Sequence, residues 1–187
     1  MPDSRRQHLD LYRLPQDFSP GAPWLLQSLW FCLGAPLLSM RNLPGSAWRV
    51  SLLRRFGAQI ADGCRLKPGL RVKYPWRLRV GFGCWLGEDV WIDNLAEVWI
   101  GDQVCLSQGV YLCTGNHDFR DPAFTLRCCP IRIESGAWIG AQARLSPGVS
   151  VGADAVVSLG AVVHKPVPAA VVVAGHPASP VGFRWRD

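Results

Sequence analysis

From Ile60 onward an aliphatic side chain recurs every sixth residue. The series runs Ile60, Leu66 and Val72, then Val80, Leu86 and Ile92, then Ile100, Leu106 and Leu112. It resumes with Ile133, Ile139, Leu145, Val151, Val157 and Val163. Val72 to Val80 and Ile92 to Ile100 are 8 apart, so each of those corners carries 2 extra residues. Leu112 to Ile133 is 21 apart, an insertion of 15. Small residues such as Cys64, Cys84, Ala137, Ala143, Ala155 and Ala161 stand four places after the aliphatics. Gly63, Gly69, Gly83, Gly136 and Asp154 stand three places after, and Gly and Asp tolerate the left-handed backbone of a tight corner.

A helix cannot keep a six-residue period, and a plain strand has period two. A coil of three short strands keeps it, with each strand and its corner taking six residues. Each side of the coil then gives one aliphatic and one small residue to a narrow triangular core. Stacked coils bury one another's side chains. The fifteen hexads therefore predict about five coils of a parallel β-helix, an all-β fold. Its hand does not follow from the period.

The first 56 residues lie outside the repeat. Trp48–Phe56, closed by Gly57, reads as a short helix capping the first coil. Pro23–Met40 is the one membrane-like run, interrupted by Gln27, Gly34 and Pro36. It reads as a broken amphipathic, buried or interfacial helix rather than a span. The predicted organisation is a cap over 1–56, a β-helix over 57–180 with an inserted loop at 114–132, and a tail over 181–187.

Charge sharpens this division. Residues 1–79 hold 13 Lys/Arg against 4 Asp/Glu, and residues 80–187 hold 7 against 10. The basic half suits an anionic surface, whether membrane, nucleic acid or acidic glycan, or is ordinary solvated surface. No nucleic-acid recognition motif accompanies it. With 19 Gly and 15 Pro in 187 residues, the composition argues for a chain that turns often and not for a helical bundle. Seven Cys with no CxxC pair fit a reduced, cytoplasmic setting. The four His (8, 117, 164 and 176) form no metal-ligand spacing, so no metal site is expected.

The insertion opens with Thr114-Gly-Asn-His-Asp118, and a long loop in a compact repeat is usually functional. His117 stands five places after Leu112, an outward phase. From the residues alone it is either a general base or a His that caps the loop.

Repeats such as Ile139-Gly-Ala-Gln-Ala-Arg144 and Val151-Gly-Ala-Asp-Ala-Val156 resemble the hexapeptide-repeat acyltransferases over roughly residues 57–180. The resemblance implies a left-handed β-helix. Tyr74-Pro-Trp76, Glu88–Asn94 and Gly115–Asp118 resemble the acetyltransferases of exopolysaccharide clusters, the colanic-acid type. That implies O-acetyl transfer from acetyl-CoA to a sugar or lipid-linked oligosaccharide. It also implies a homotrimer with sites between neighbouring subunits, in the cytoplasm or peripheral at the inner face of the membrane. On the family pattern His117 is the base. Asn94 sits at the acceptor site, with Asp93 and Asp118 as further candidates there; Asp118 is placed to orient His117 or is a turn residue, and Asp93 is a candidate orienter by its proximity to Asn94. Trp138 packs beside the thioester arm, Ala141 and Gly160 border the pantetheine, and Lys165 or Arg184 meets the phosphates. The sequence admits two other readings. A metal-dependent carbonic anhydrase needs three His, and only His117 lies in the middle coils. A non-catalytic scaffold leaves the Asn94, His117 and Trp138 set unexplained.

Overall fold

The computed structural model describes residues 6–185. The ends of the predicted cap (1–5) and tail (186–187) lie outside the described residues.

The hexad becomes three parallel sheets around a triangular core. The first sheet orders Gln59–Ile60, Leu78–Val80, Val98–Ile100, Ile131–Ile133 and Ser150–Val151 side by side. The second contains Arg65–Leu66, Trp85–Leu86, Cys105–Leu106, Trp138–Ile139 and Val156–Val157. The third contains Arg71–Val72, Trp91–Asp93, Tyr111–Cys113, Arg144–Leu145 and Val162–Val163. Register is kept by the aliphatics: Leu66 pairs with Leu86, Leu86 with Leu106, and Ile139 with Leu106 across the long insertion. All fifteen aliphatics of the series are buried. The solenoid runs past the five expected coils. Val167 bridges to Val151, and Val171–Gly175 pairs with Val156–Val157, which gives two sides of a sixth coil. Ala178–Phe183 then folds back antiparallel on Val171–Gly175 and closes the second sheet. That strand crosses the expected boundary at 180/181.

The corners show why Gly and Asp alternate there. Gly69 has φ +77°, and a Cβ on it would lie 2.1 Å from Asp89 Oδ1 one coil above. Asp89 is itself left-handed, at φ 57°. The corner therefore needs a bare residue beneath a short polar one.

The N-terminal residues wrap the outside of the prism. Ala47–Arg55 is the cap helix, with Leu53 buried on the first coil. The Pro23–Met40 run is helical as Trp24–Leu29, Trp30–Gly34 and Ala35–Leu38, with a π turn in the middle. Trp30 is fully buried and donates its indole N–H to Lys73 O at 2.9 Å. Its ring packs on Phe56, 5.0 Å between centroids. A Cβ on Gly34 would fall 2.3 Å from Trp30 Cε3, so Gly34 is the notch that admits the indole. No helix among the described residues is long and apolar enough to cross a membrane.

Candidate active site

The insertion leaves the corner between the third and first sheets. Thr114 anchors it from a buried position: its hydroxyl donates to Asp93 O at 3.1 Å and accepts Ala96 N–H at 2.9 Å. Gly115–His117 then pairs antiparallel with Leu126–Cys128 as a hairpin. The chain is back in register at Ile131, opposite Val98, so the last two residues of the predicted 114–132 insertion belong to the coil. Asp121 folds the tip. It accepts Ala123 N–H at 3.0 Å and the Thr125 hydroxyl, and that hydroxyl first, then the backbone N–H, holds its carboxyl below the usual range.

His117 is half-buried on this hairpin. Its Nδ1 is 2.7 Å from the carbonyl oxygen of Phe124, a residue at φ 53°. A carbonyl only accepts, so in the neutral ring Nδ1 carries the proton and Nε2 keeps its lone pair. The Phe124 ring lies on the imidazole at 4.2 Å and 4°, and Tyr12 meets it edge-on at 5.6 Å. Tyr12 arrives because the N-terminal strap runs up the prism, with His8 N–H bonded to Pro122 O at 2.8 Å. Two neutral rings and one carbonyl thus fix the imidazole and aim Nε2 away from the hairpin's own hydrogen bonds. Neither Phe124 nor Tyr12 is visible in the hexad pattern, because both lie outside the coils.

The carboxylates are engaged elsewhere. Asp118 pairs with Arg127 across the hairpin and accepts Arg120 N–H at 3.1 Å, so it organises the turn and does not orient His117. Asp93 sits at the hairpin root, 3.1 Å from Lys73 Nζ and 3.1 Å from the Tyr111 hydroxyl. Burial is the first cause that pushes the Tyr111 phenol up. Asn94 corrects the sequence reading. It is fully buried, accepting Tyr74 N–H at 2.9 Å and donating to Tyr74 O at 2.7 Å. Both ends of its amide are spent on the coil below, so it holds the corner and cannot face an acceptor.

The cofactor-side candidates separate into two groups. Trp138 stands outward on the second sheet, 48% exposed, with its indole N–H on Ser107 Oγ at 2.9 Å. Ala141 and Gly160 stack at the next corner, joined by Gly160 N–H to Ala141 O at 2.8 Å. A Cβ on Gly160 would meet nothing within 4 Å, so the edge beside it is open. Lys165 is exposed at the corner between the third and first sheets, away from that edge. Arg184 is held against the solenoid, its guanidinium Nη1 donating to Gly136 O at 2.6 Å. Below Trp138 the second sheet carries a cleft of about 330 Å³ lined by Arg65, Trp85, Glu88, Cys105, Ser107 and Gln108.

Topology sets the relation between the two halves. In a three-sided prism the corner between the third and first sheets lies opposite the second sheet. His117 leaves from that corner and Trp138 stands on the second sheet. A single chain holds them on opposite sides. The outward aromatics between them pack along their own chain. Arg65 lies over Trp85 at 4.7 Å and Arg71 over Trp91 at 4.5 Å, and Trp91 stacks on Tyr111 at 4.6 Å. Both faces of Trp91 are therefore covered.

No protein-family model matches the chain. The chain is 36% identical over 172 residues to the colanic acid biosynthesis acetyltransferase WcaF of Escherichia coli, covering 92% of this chain and 94% of that one. It is 29% identical over 133 residues to the galactoside O-acetyltransferase of Escherichia coli, covering 69% and 65%. Among solved structures it matches the hexapeptide-repeat acetyltransferase VCA0836 of Vibrio cholerae in complex with acetyl-CoA. That match has a TM-score of 0.77 and 26% identity over 87% of this chain and 88% of the other.

Proposed function

The chain belongs to the hexapeptide-repeat acetyltransferases, and from that premise we propose that it moves acetyl from acetyl-CoA to a sugar hydroxyl, with His117 as general base, in making an exopolysaccharide or other surface glycan. The observation that carries the assignment of the base is the Phe124 carbonyl on His117 Nδ1. An alcohol is a poor nucleophile until a base takes its proton in the transition state. Nε2 takes it as the sugar oxygen bonds to the thioester carbonyl carbon. The carbon–sulfur bond then breaks, and the proton passes from Nε2 to the departing thiolate. No acyl-enzyme forms, so none of the cysteines acts as a nucleophile.

Trp138 would pack against the thioester arm and the open Ala141–Gly160 edge would carry the pantetheine. Because His117 and Trp138 lie across the prism, the working site takes its base from one subunit and its acetyl-CoA groove from the next. The assembly we propose is the homotrimer, in which each copy gives one of each. The acceptor then enters the cleft below Trp138, between Glu88 and Gln108.

Steady-state kinetics on a galactoside acceptor test the base. His117→Gln should lower kcat by about 10²–10⁴-fold and leave the KM for acetyl-CoA nearly unchanged. Trp138→Ala should do the reverse, raising that KM with a smaller effect on kcat. A His117→Gln protein that turns over near the wild-type rate would remove His117 from the mechanism.

A further inference from the structure

The helix Trp24–Leu38 has two unlike sides. Trp30, Gly34 and Leu38 are buried against the cap and first coil. The opposite side is open to solvent yet apolar: Trp24, Leu25, Leu29, Phe31, Leu33 and Leu37 are all exposed, Trp24 by 76% and Leu33 by 63%. Ser28 is the one exposed polar residue in the Trp24–Leu38 stretch. A face of this composition is a binding surface rather than ordinary exterior.

Charge selects what covers it. No Asp or Glu occurs between Asp17 and Asp62, a stretch that holds the apolar helix, Arg41, Arg49, Arg54 and Arg55. Among the described residues, Arg55 on the cap helix and Arg65, Lys67 and Arg71 on the first coil have no carboxylate within ion-pairing distance. Arg71 lies in the same groove as Phe31 and Pro36. A second copy docked by this face would set cation against cation. An anionic lipid surface satisfies both features: the apolar side chains enter the headgroup–acyl boundary and the flanking cations stay at the phosphates. The helix is too short to span the bilayer, so the contact is peripheral.

We propose that the exposed face of Trp24–Leu38 docks this enzyme on an anionic membrane surface, with the adjoining basic cap and first coil supplying the charge. The apolar helix face stands apart from the catalytic reading; of the flanking cations, Arg65 and Lys67 also line the cleft below Trp138.

The test is co-sedimentation of the full chain with vesicles of equal phosphatidylglycerol and phosphatidylcholine, and with vesicles of phosphatidylcholine alone. The wild type should pellet with the mixed vesicles, weaken as salt rises, and bind phosphatidylcholine poorly. Trp24→Ser with Leu33→Ser should lower binding by about tenfold or more, while acetyl transfer to a soluble acceptor is unchanged. Both side chains are exposed, so the solenoid stays folded. Light scattering on the same variant separates the competing occupant. Absence of wild-type binding, equal binding by the variant, or equal binding to both vesicles would overturn the proposal. So would a fall in oligomeric mass in the variant, which would give the face to a second copy.

Discussion

His117 shows what a single hydrogen bond decides. The Phe124 carbonyl holds the proton on Nδ1 and leaves Nε2 as the only basic nitrogen. The sequence placed His117 on an outward phase at the start of the insertion, and that much was legible. The partner that sets its tautomer was not, because a backbone carbonyl leaves no mark in residue types. Asn94 failed for a related reason. Its place in the repeat is readable, but whether its amide points out or folds back on Tyr74 depends on the corner's shape. Asn94→Ala should accordingly cost stability, about 1–3 kcal/mol in a denaturant titration for the unpaired Tyr74 groups, with the acceptor KM little changed. Cys64 supplies a pH-dependent readout. Cys64 donates to Gly81 O at 3.1 Å and Cys84, one coil above, to Gly101 O at 2.9 Å. The neighbouring Cys84 side chain is the first cause that lowers the Cys64 thiol to about 7, while Cys84 is raised. Because the thiolate is the reactive form, alkylation of Cys64 should rise with pH and be half-maximal near pH 7. Cys84→Ala removes that neighbour and should move the midpoint upward.

Among the elements, the coils were the most legible part, since one aliphatic every six residues fixes both the strands and their stacking. The regular hexad series ends at Val163, so the sixth coil does not show in it. Past that point the chain departs at Pro166 and Pro168, and only pairing with Val151 and Val156–Val157 reveals the continuation. In the sequence, Pro23–Met40 reads as a helix broken at Gln27, Gly34 and Pro36. It continues because Gly34 serves the Trp30 indole, and Pro36 follows directly on the π segment Trp30–Gly34, at the start of Ala35–Leu38. Two substitutions measure this packing. Trp30→Ala should destabilise by about 3–5 kcal/mol, the range for emptying a buried aromatic site. Gly34→Ala forces the indole to shift and should lower the melting temperature in calorimetry. If neither moves it, the helix is not docked as described.

At the scale of the whole molecule, the central feature is that His117 and Trp138, the proposed base and the proposed acetyl-CoA contact, face opposite ways on one prism. The hexad count could place them on the third-to-first corner and the second side. It could not say how a neighbouring copy completes the pair, since that depends on surfaces and not on the repeat. Light scattering should give three times the 20.6 kDa chain mass. The most direct measurement is activity in mixed assemblies. Assayed at acetyl-CoA far below the raised KM of Trp138→Ala, His117→Ala and Trp138→Ala are each expected to turn over slowly alone. Co-expressed and purified as mixed trimers, they should regain activity at about a quarter of the sites, those pairing an intact His117 from one chain with an intact Trp138 from the next. Mixed trimers no more active than the separate variants would contradict the account and return the whole site to a single chain.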